Sequence, residues 1–343
     1  MDNQVLRAAV VGAGAWGTAL ADQLARKGHT VALWCFEPEV AEAIRETRVN
    51  PTFLPGHTLH SSVQPTTDLG EAVRGSEMVV VAVPSHHVRR IATAFRNDLG
   101  RTAILVSASK GIENDSLMTM SDVYCDTLES NFHKYFTVLS GPSFAIEVAQ
   151  GMPTAVTVAA WDLRTAVRVQ HAISTTYFRC YTSTDVIGAE LGGALKNVVA
   201  IAVGAMDGMG FGHNTRAGLM TRALSEIGRI AVRLGANPLT LSGLSGAGDL
   251  ILTCTGELSR NRTFGFRLGK GEKVQDILSG QKQVVEGFLT SKSAYDLIRQ
   301  LGVEAAIFEQ IYNYLHCNTE QRAISHFVHE VMSRELKPEV TFY

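Results

Sequence analysis

A chain of 343 residues with a formal charge of −2 at pH 7 has room for two domains with cores of their own. Its near-neutral balance gives no electrostatic reason to expect nucleic acid or an anionic membrane as a partner. The longest apolar runs read as strand-length, short of the ~20 residues a membrane-spanning helix needs. Cys35, Cys125, Cys180, Cys254 and Cys317 are scattered, odd in number and never spaced CxxC, which points to reduced thiols in a cytoplasm and to no metal site.

The first apolar run, Val5–Val11, is too short for the core of a signal peptide and reads as a strand. It runs into Gly12-Ala13-Gly14-Ala15-Trp16-Gly17 and then into an alanine-rich stretch, Thr18–Lys27. Strand, glycine turn and helix in that order make G-x-G-x-x-G a dinucleotide-binding signature. Gly12 permits the tight turn, Gly14 keeps a side chain away from a pyrophosphate, and Gly17 lets helix and strand approach. The helix start offers unpaired N–H groups and a positive dipole end. Thr30–Trp34 is the next strand, and Glu37 just beyond it stands where an acid can bind an adenosine ribose.

Strand signals continue at 78–83, 103–107, 136–140, 154–159 and 177–181, with helical segments at 38–48 and 86–96 and a Gly/Pro-rich loop at 50–65. This is the pattern of an α/β fold with a Rossmann-type, doubly wound parallel sheet. After about residue 187 the pattern becomes helical. Ala189–Ala205 reads as one long helix, Asn214–Leu234 as another with Asn214 as its cap, and periodicity returns at 291–301, 305–316 and 319–333. The expected division is a dinucleotide-binding domain over 1–188 and an all-helical substrate-binding domain over 189–343. That order suggests a dehydrogenase whose substrate binds between the two.

Ligands sit outside the carboxyl ends of parallel strands. Three predicted strands end in Pro84-Ser85-His86, Ala108-Ser109-Lys110-Gly111 and Gly141-Pro142-Ser143. Apart from His86 and His87, which read as capping or surface residues, Lys110 is the basic residue at these ends. In the second half, Lys196 lies inside a small and apolar helix, with Gly192 and Gly193 on its own face. Two glycines cost such a helix roughly 1–2 kcal/mol, so a second helix or a ligand is expected to approach there. Burial of Lys196 would make it a usable acid or base. Asp249 closes a second glycine-rich loop, as a helix cap or as a functional carboxylate. Ser259, Arg260, Asn261 and Arg262 offer donors suited to a phosphate.

Taken together, the chain resembles the bacterial-type NAD(P)-dependent sn-glycerol-3-phosphate dehydrogenase family. The motifs are GAGAWGTALA (12–21), VVAVPS (80–85), SKGIE (109–113), SGPSFA (140–145), ELGGALKNVVAI (190–201), AGDLILTCT (247–255), SRNR (259–262) and VVEG (284–287). The resemblance implies interconversion of glycerol 3-phosphate and dihydroxyacetone phosphate with NAD or NADP, as a source of glycerol 3-phosphate for phospholipids. It implies Lys196 as the catalytic base, with Lys110 and Asp249 also in the catalytic set. Implied substrate contacts are Lys110, Gly141, Ser143, Lys196, Asp249, Ser259, Arg260 and Asn261. Implied cofactor contacts are Gly12, Gly14, Ala15, Trp16, Gly17, Phe36, Lys110, Ala145, Arg260, Val284 and Glu286. A cytoplasmic enzyme without metal, nucleic-acid partner or membrane span follows, and a homodimer is compatible with it.

Two departures concern the nucleotide. Ala15 stands where the family often has serine, and Cys35-Phe36 where many members have glycine and a basic residue. Phe36 can pack on adenine but cannot offset a 2′-phosphate, and Glu37 would repel one. Use of both NADH and NADPH is therefore expected, with Arg45 and Arg48 as alternative cations for the phosphate. Two other readings remain: a two-domain dehydrogenase acting on a β-hydroxy acid or sugar acid, and a non-catalytic dinucleotide sensor. Ser259–Asn261 speak against the first, and the joint presence of Lys110, Lys196 and Asp249 against the second.

Overall fold

A computed structural model describes residues 5–280 and 284–317. The predicted helix over 319–333 lies outside the described residues. The chain forms two compact units. One takes the residues up to Lys110 together with Met118–Glu190; the other takes Gly111–Leu117 and the residues from Leu191 onward.

The first unit follows the alternation read from the sequence. Its elements begin with β1 (Arg7–Val11), α1 (Ala15–Arg26), β2 (Thr30–Trp34) and α2 (Pro38–Thr47). After them come β3 (Val49–Asn50), β4 (Leu54–Thr58), β5 (Val63–Thr66), α3 (Leu69–Val73), β6 (Met78–Val81) and α4 (Val88–Phe95). The unit continues through β7 (Ile104–Ser107), α5 (Met120–Thr127), β8 (Phe136–Ser140), α6 (Ala145–Ala149), β9 (Thr154–Ala159), α7 (Leu163–Ile173) and β10 (Phe178–Ser183). Eight strands form one sheet in the order β10-β9-β8-β7-β6-β1-β2-β5. The central strands are apolar and buried on both faces, as a helix-covered parallel sheet requires. Because β1 pairs with β2 on one side and β6 on the other, the strand order reverses at β1, where such sheets open a ligand crevice.

Two sequence expectations are corrected here. Six strands are parallel, but β9 runs antiparallel to β8 and β10 parallel to β9, so the last two are reversed. The 50–65 stretch is not all loop: β3 and β4 form a small antiparallel pair, and β5 extends the main sheet. Pro65 lies in β5, which pairs only with β2, and an edge is where a strand tolerates proline.

The second unit is helical. It is built from α8 (Val186–Gly208, of which Leu191 onward belongs to this unit), α9 (His213–Arg233), α10 (Asp249–Thr255) and α11 (Arg260–Gly269). These are followed by α12 (Val274–Ser279), α13 (Glu286–Leu301) and α14 (Ala306–His316). Contrary to the strand-length expectation, α8 is long and apolar enough to cross a membrane by length and composition. Its most apolar window is 94% buried inside the fold, as a core helix would be. The start of α9 also differs: Gly212 is its N-cap, and Asn214 lies within the helix.

Glu190 gives the first unit a pH dependence. It is buried, and its carboxyl accepts hydrogen bonds from the Ser121 amide at 2.7 Å and hydroxyl at 2.6 Å. Burial pushes it from 4.5 up to about 7. The folded chain therefore keeps this proton longer than the unfolded chain. The stabilisation is fully present below the unfolded value and is lost as pH rises to about 7. We expect Glu190→Gln to be close to wild type near pH 4.5 and more stable by up to roughly 3 kcal/mol above pH ~7.5. Melting curves of both proteins across pH check this; parallel curves would remove Glu190 as the source.

Candidate active site

The nucleotide half is built from backbone. Gly12 has φ 111°, and a Cβ there would lie 2.9 Å from the Ala82 carbonyl oxygen. At Gly17 a Cβ would meet the Gly12 carbonyl oxygen at 1.8 Å, so the helix sits directly on the turn. Gly14 is the N-cap of α1, and a Cβ there would meet nothing within 4 Å. The open space at a helix N-terminus is a cradle that fits a pyrophosphate. Ala15 opens α1, and Trp16 beside it packs towards Phe178, with ring centroids 6.5 Å apart.

Lys110 follows β7, and its Nζ donates to the Gly141 carbonyl at 3.3 Å. The Ser143 hydroxyl donates to the same oxygen at 3.1 Å. Gly141 has φ 147°, and a Cβ would press 2.9 Å from the Val156 Cα, so only glycine suits this turn. Lys110, Gly141 and Ser143 are thus brought together as the sequence predicted, and Ala145 opens α6 just after them.

Beyond the end of β2, Phe36 is exposed and meets Trp34 edge-on at 6.1 Å. The Arg90 guanidinium of α4 lies over its ring, 5.9 Å from the centroid. Glu37 is the N-cap residue of α2 without a side-chain capping bond. His87 makes no capping bond to α4 either. Arg45 pairs with Glu42 on the exposed face of α2 and lies close enough to Cys35 for its charge to act on the thiol, whereas Arg48 donates to the carbonyls of Val63 and His60.

In the second unit a buried ion pair forms the centre. Lys196 Nζ lies 2.8 Å from Asp249 Oδ1 and donates to Thr253 Oγ1 at 2.6 Å. The Thr253 hydroxyl donates on to the Asp249 carbonyl at 2.7 Å. Lys196, Asp249 and Thr253 are 6%, 2% and 4% exposed, so this is an ion pair held out of bulk water. Asp249 is not a cap: Gly248 is the N-cap of α10, and the carboxylate sits in the first turn. Thr253 went unread in the sequence, although it lies four residues after Asp249 on the same helix face.

Gly192 explains how the pair is assembled. A Cβ there would lie 2.3 Å from the Ser245 carbonyl oxygen. What packs against Gly192 is the second glycine motif, Leu244–Gly248, wound as one π-helical turn that leads into Asp249.

The SRNR quartet divides its labour. Ser259 caps α11 by accepting from the Arg262 amide at 3.2 Å. Asn261 donates to Asn197 Oδ1 at 2.9 Å and accepts from the Gly287 amide at 2.9 Å. Its side chain therefore braces the neighbour of Lys196 rather than facing solvent. Arg262 pairs with Asp207 at 2.8 Å, which also holds Arg216 at 2.6 Å. Arg260 remains exposed and donates to the Val284 carbonyl at 3.1 Å, with Glu286 opening α13 nearby. Ser259, Arg260, Asn261, Val284 and Glu286 thus gather around the start of α11, but Ser259 and Asn261 use their side chains within the protein.

A glycine turn shaped for a dinucleotide and a buried lysine–aspartate pair define a dinucleotide-dependent dehydrogenase of two units. The description "NAD-dependent glycerol-3-phosphate dehydrogenase N-terminus" matches residues 7–166, and that of the C-terminus matches residues 185–326. Glycerol-3-phosphate dehydrogenase [NAD(P)+] of Geobacter sp. (strain M21) is 52% identical over 331 residues, 96% of this chain and 98% of that relative. The enzyme of that name from Myxococcus xanthus is 52% identical over 336 residues, 98% of this chain and 99% of its own. The crystal structure of glycerol-3-phosphate dehydrogenase from Coxiella burnetii superposes with a TM-score of 0.90 at 33% identity, covering 96% of this chain and 99% of that one. The chain belongs to the NAD-dependent glycerol-3-phosphate dehydrogenase family.

Backbone contact between α8 and α11 holds the two site helices together. A Cβ on Gly265 would lie 1.9 Å from the Ile201 carbonyl oxygen, and one on Gly204 2.0 Å from that of Arg262. Gly265→Ala must force the helices apart, and we expect a loss of more than about 2 kcal/mol. Gly218→Ala, on the exposed face of α9 with nothing within 4 Å, is the control and should gain up to about 1 kcal/mol. Denaturant midpoints of the two variants decide; equal effects would mean that the α8–α11 contact is not a constraint.

Proposed function

We propose that this chain interconverts sn-glycerol 3-phosphate and dihydroxyacetone phosphate by hydride transfer with NAD(P)(H). The observation that carries the reading is the buried Lys196–Asp249–Thr253 cluster in a chain of this family. When bound, the nicotinamide accepts a hydride from C2 of the alcohol or returns it to the ketone. Lys196 Nζ takes the proton of the C2 hydroxyl in one direction and returns it to the oxygen in the other. Asp249 and Thr253 fix the position of Nζ, and the carboxylate offsets its charge when the amine is protonated. Lys110 supplies a second positive charge for the oxygen as its negative charge grows.

The phosphate is assigned to the start of α11. Arg260 offers its guanidinium there, beside the positive end of the α11 dipole. Ser259 and Asn261 support this end by capping and bracing, while Gly141 and Ser143 shape the turn next to Lys110. The pyrophosphate falls to Gly12, Gly14, Ala15 and Gly17. Val284 and Glu286, beside Arg260, are assigned to the cofactor. We place the enzyme in the cytoplasm, where its free thiols stay reduced, supplying glycerol 3-phosphate to phospholipid synthesis.

Lys196→Ala is expected to lower kcat by about 10²–10⁴-fold with nucleotide binding kept, since it removes an acid–base group rather than a binding surface. Lys196→Arg should be nearly as poor, because arginine stays protonated. Oxidation of NADH or NADPH with dihydroxyacetone phosphate measures both; turnover within a few-fold of wild type would take Lys196 out of the mechanism.

Arg260→Ala is expected to weaken dihydroxyacetone phosphate by roughly 2–4 kcal/mol in kcat/KM. Unphosphorylated dihydroxyacetone should be a poor substrate of wild type and lose much less in the variant. Equal losses on the two ketones would show that Arg260 does not read the phosphate.

A further inference from the structure

The nucleotide half leaves an exposed cation, Arg90, outside the roles assigned so far. Arg90 lies on the first turn of α4, the helix that follows β6, and its guanidinium covers the Phe36 ring beyond the end of β2. Because β1 separates β2 from β6 in the sheet, this contact joins the two strand ends that flank the glycine turn. Phe36 is 63% exposed, so ring and guanidinium form a surface rather than part of the core. The neighbouring Arg89 is paired with Asp126, whereas among the described residues no carboxylate pairs with Arg90. The His86 and His87 rings lie 3.9 Å apart, tilted by 52°, on the preceding turn. Burial comes first in pushing both imidazoles below their ordinary value; His87 and then Arg90 add to it at His86, and Arg90 adds to it at His87. Arg90 is thus the cation that this surface presents, since the imidazoles beside it lose their charge more readily than usual.

The end of the second strand is where the adenosine ribose of a dinucleotide is read, and an arginine nearby accommodates a 2′-phosphate. Of the residues first considered for that task, Arg48 is engaged with backbone carbonyls and Arg45 is paired with Glu42 on its own helix. We propose that Arg90, held over Phe36, is the specificity-determining residue that reads the 2′-phosphate of NADPH in this chain. The aromatic ring holds the guanidinium by cation–π attraction and offers its remaining surface to adenine. The planar fork then meets the phosphate oxygens in the bidentate geometry that arginine favours. Glu37 opposes the phosphate with a single negative charge, which Arg90 offsets, so both nucleotides are accepted and NADPH gains from the cation. This inference rests on the dehydrogenase reading for its biological use but not for its test.

The test uses the whole protein and Arg90→Ala, an exposed position whose loss should leave the melting temperature unchanged. Binding of adenosine 2′,5′-bisphosphate and of 5′-AMP is measured by calorimetry. Wild type should bind the bisphosphate about tenfold or more tighter than 5′-AMP. Arg90→Ala should lose about 10–100-fold for the bisphosphate and about twofold or less for 5′-AMP. In activity assays the same variant should lose kcat/KM with NADPH while NADH is nearly unaffected. The proposal is overturned if wild type binds the two ligands equally, if the variant leaves their ratio unchanged, or if both weaken together, which would make Arg90 an adenine contact alone. A wild type that oxidises neither nucleotide with dihydroxyacetone phosphate would defeat the dehydrogenase reading instead, and the binding ratio would still judge Arg90.

Discussion

The second unit is organised around an ion pair that burial should penalise. Removing Lys196 and Asp249 from water costs several kcal/mol per charge, and their attraction recovers it only with good geometry and satisfied hydrogen bonds. The geometry is supplied by a glycine. With no side chain at Gly192, the Leu244–Gly248 turn lies against α8 and delivers Asp249 to within 2.8 Å of Nζ. Thr253 accepts a further hydrogen bond from the ammonium and donates its own hydroxyl to the α10 backbone. A pair built this way is poor value as a stabilising device. Its worth is a lysine held at one position in a dry setting, as proton transfer needs.

The nucleotide half solves a different problem with different means. No buried charge is needed, because the ligand brings the charge and the protein answers with backbone. The glycine turn and the start of α1 present N–H groups fixed by the sheet, and fixed dipoles need no reorganisation when an anion arrives. Specificity then falls to side chains at the rim, where Phe36 and Arg90 lie, and these are free to vary without disturbing the sheet beneath. Cys35, next to Phe36 but buried, shows how sharply the boundary runs: burial pushes its thiol up to about 12, so it packs as an apolar group.

The central strands of the first unit, β1, β6, β7 and β8, were legible because they are short apolar runs bounded by turn residues, and burial on both faces demands that composition. Strand direction was not legible. The reversal of β9 against β8 depends on how α6 and its loops return the chain, which no local pattern records. β5 was hidden by Pro65, a residue that only an edge position excuses. In α8 the buried apolar stretch was read as helix, yet its span-like length was missed because Glu190 and Lys196 interrupt the run. Lys196 and Asp249 stood out as charges among small residues. Thr253 and Asn197 did not, since a hydroxyl and an amide become informative only once their distant partners are known. Asn261 shows the converse: it was read as a ligand donor, but both ends of its amide are used within the protein.

Glycines carry the hardest ambiguity, and the structure resolves it by asking what a methyl group would touch. At Gly12 and Gly17 the protein's own backbone forbids a side chain, so folding alone accounts for them. The same holds at Gly192, Gly204 and Gly265, where the forbidding atoms belong to a neighbouring turn or helix. Gly14 is different. Its φ of −63° is open to any residue, and a Cβ would meet nothing within 4 Å. Neither conformation nor packing excludes a larger residue there, and serine, asparagine or aspartate would cap the helix better than glycine does. What remains is something outside the chain that must come close to the backbone at that point. Of the three glycines in the opening motif, only this one argues for a ligand, because neither its backbone conformation nor packing within the chain requires the absence of a side chain.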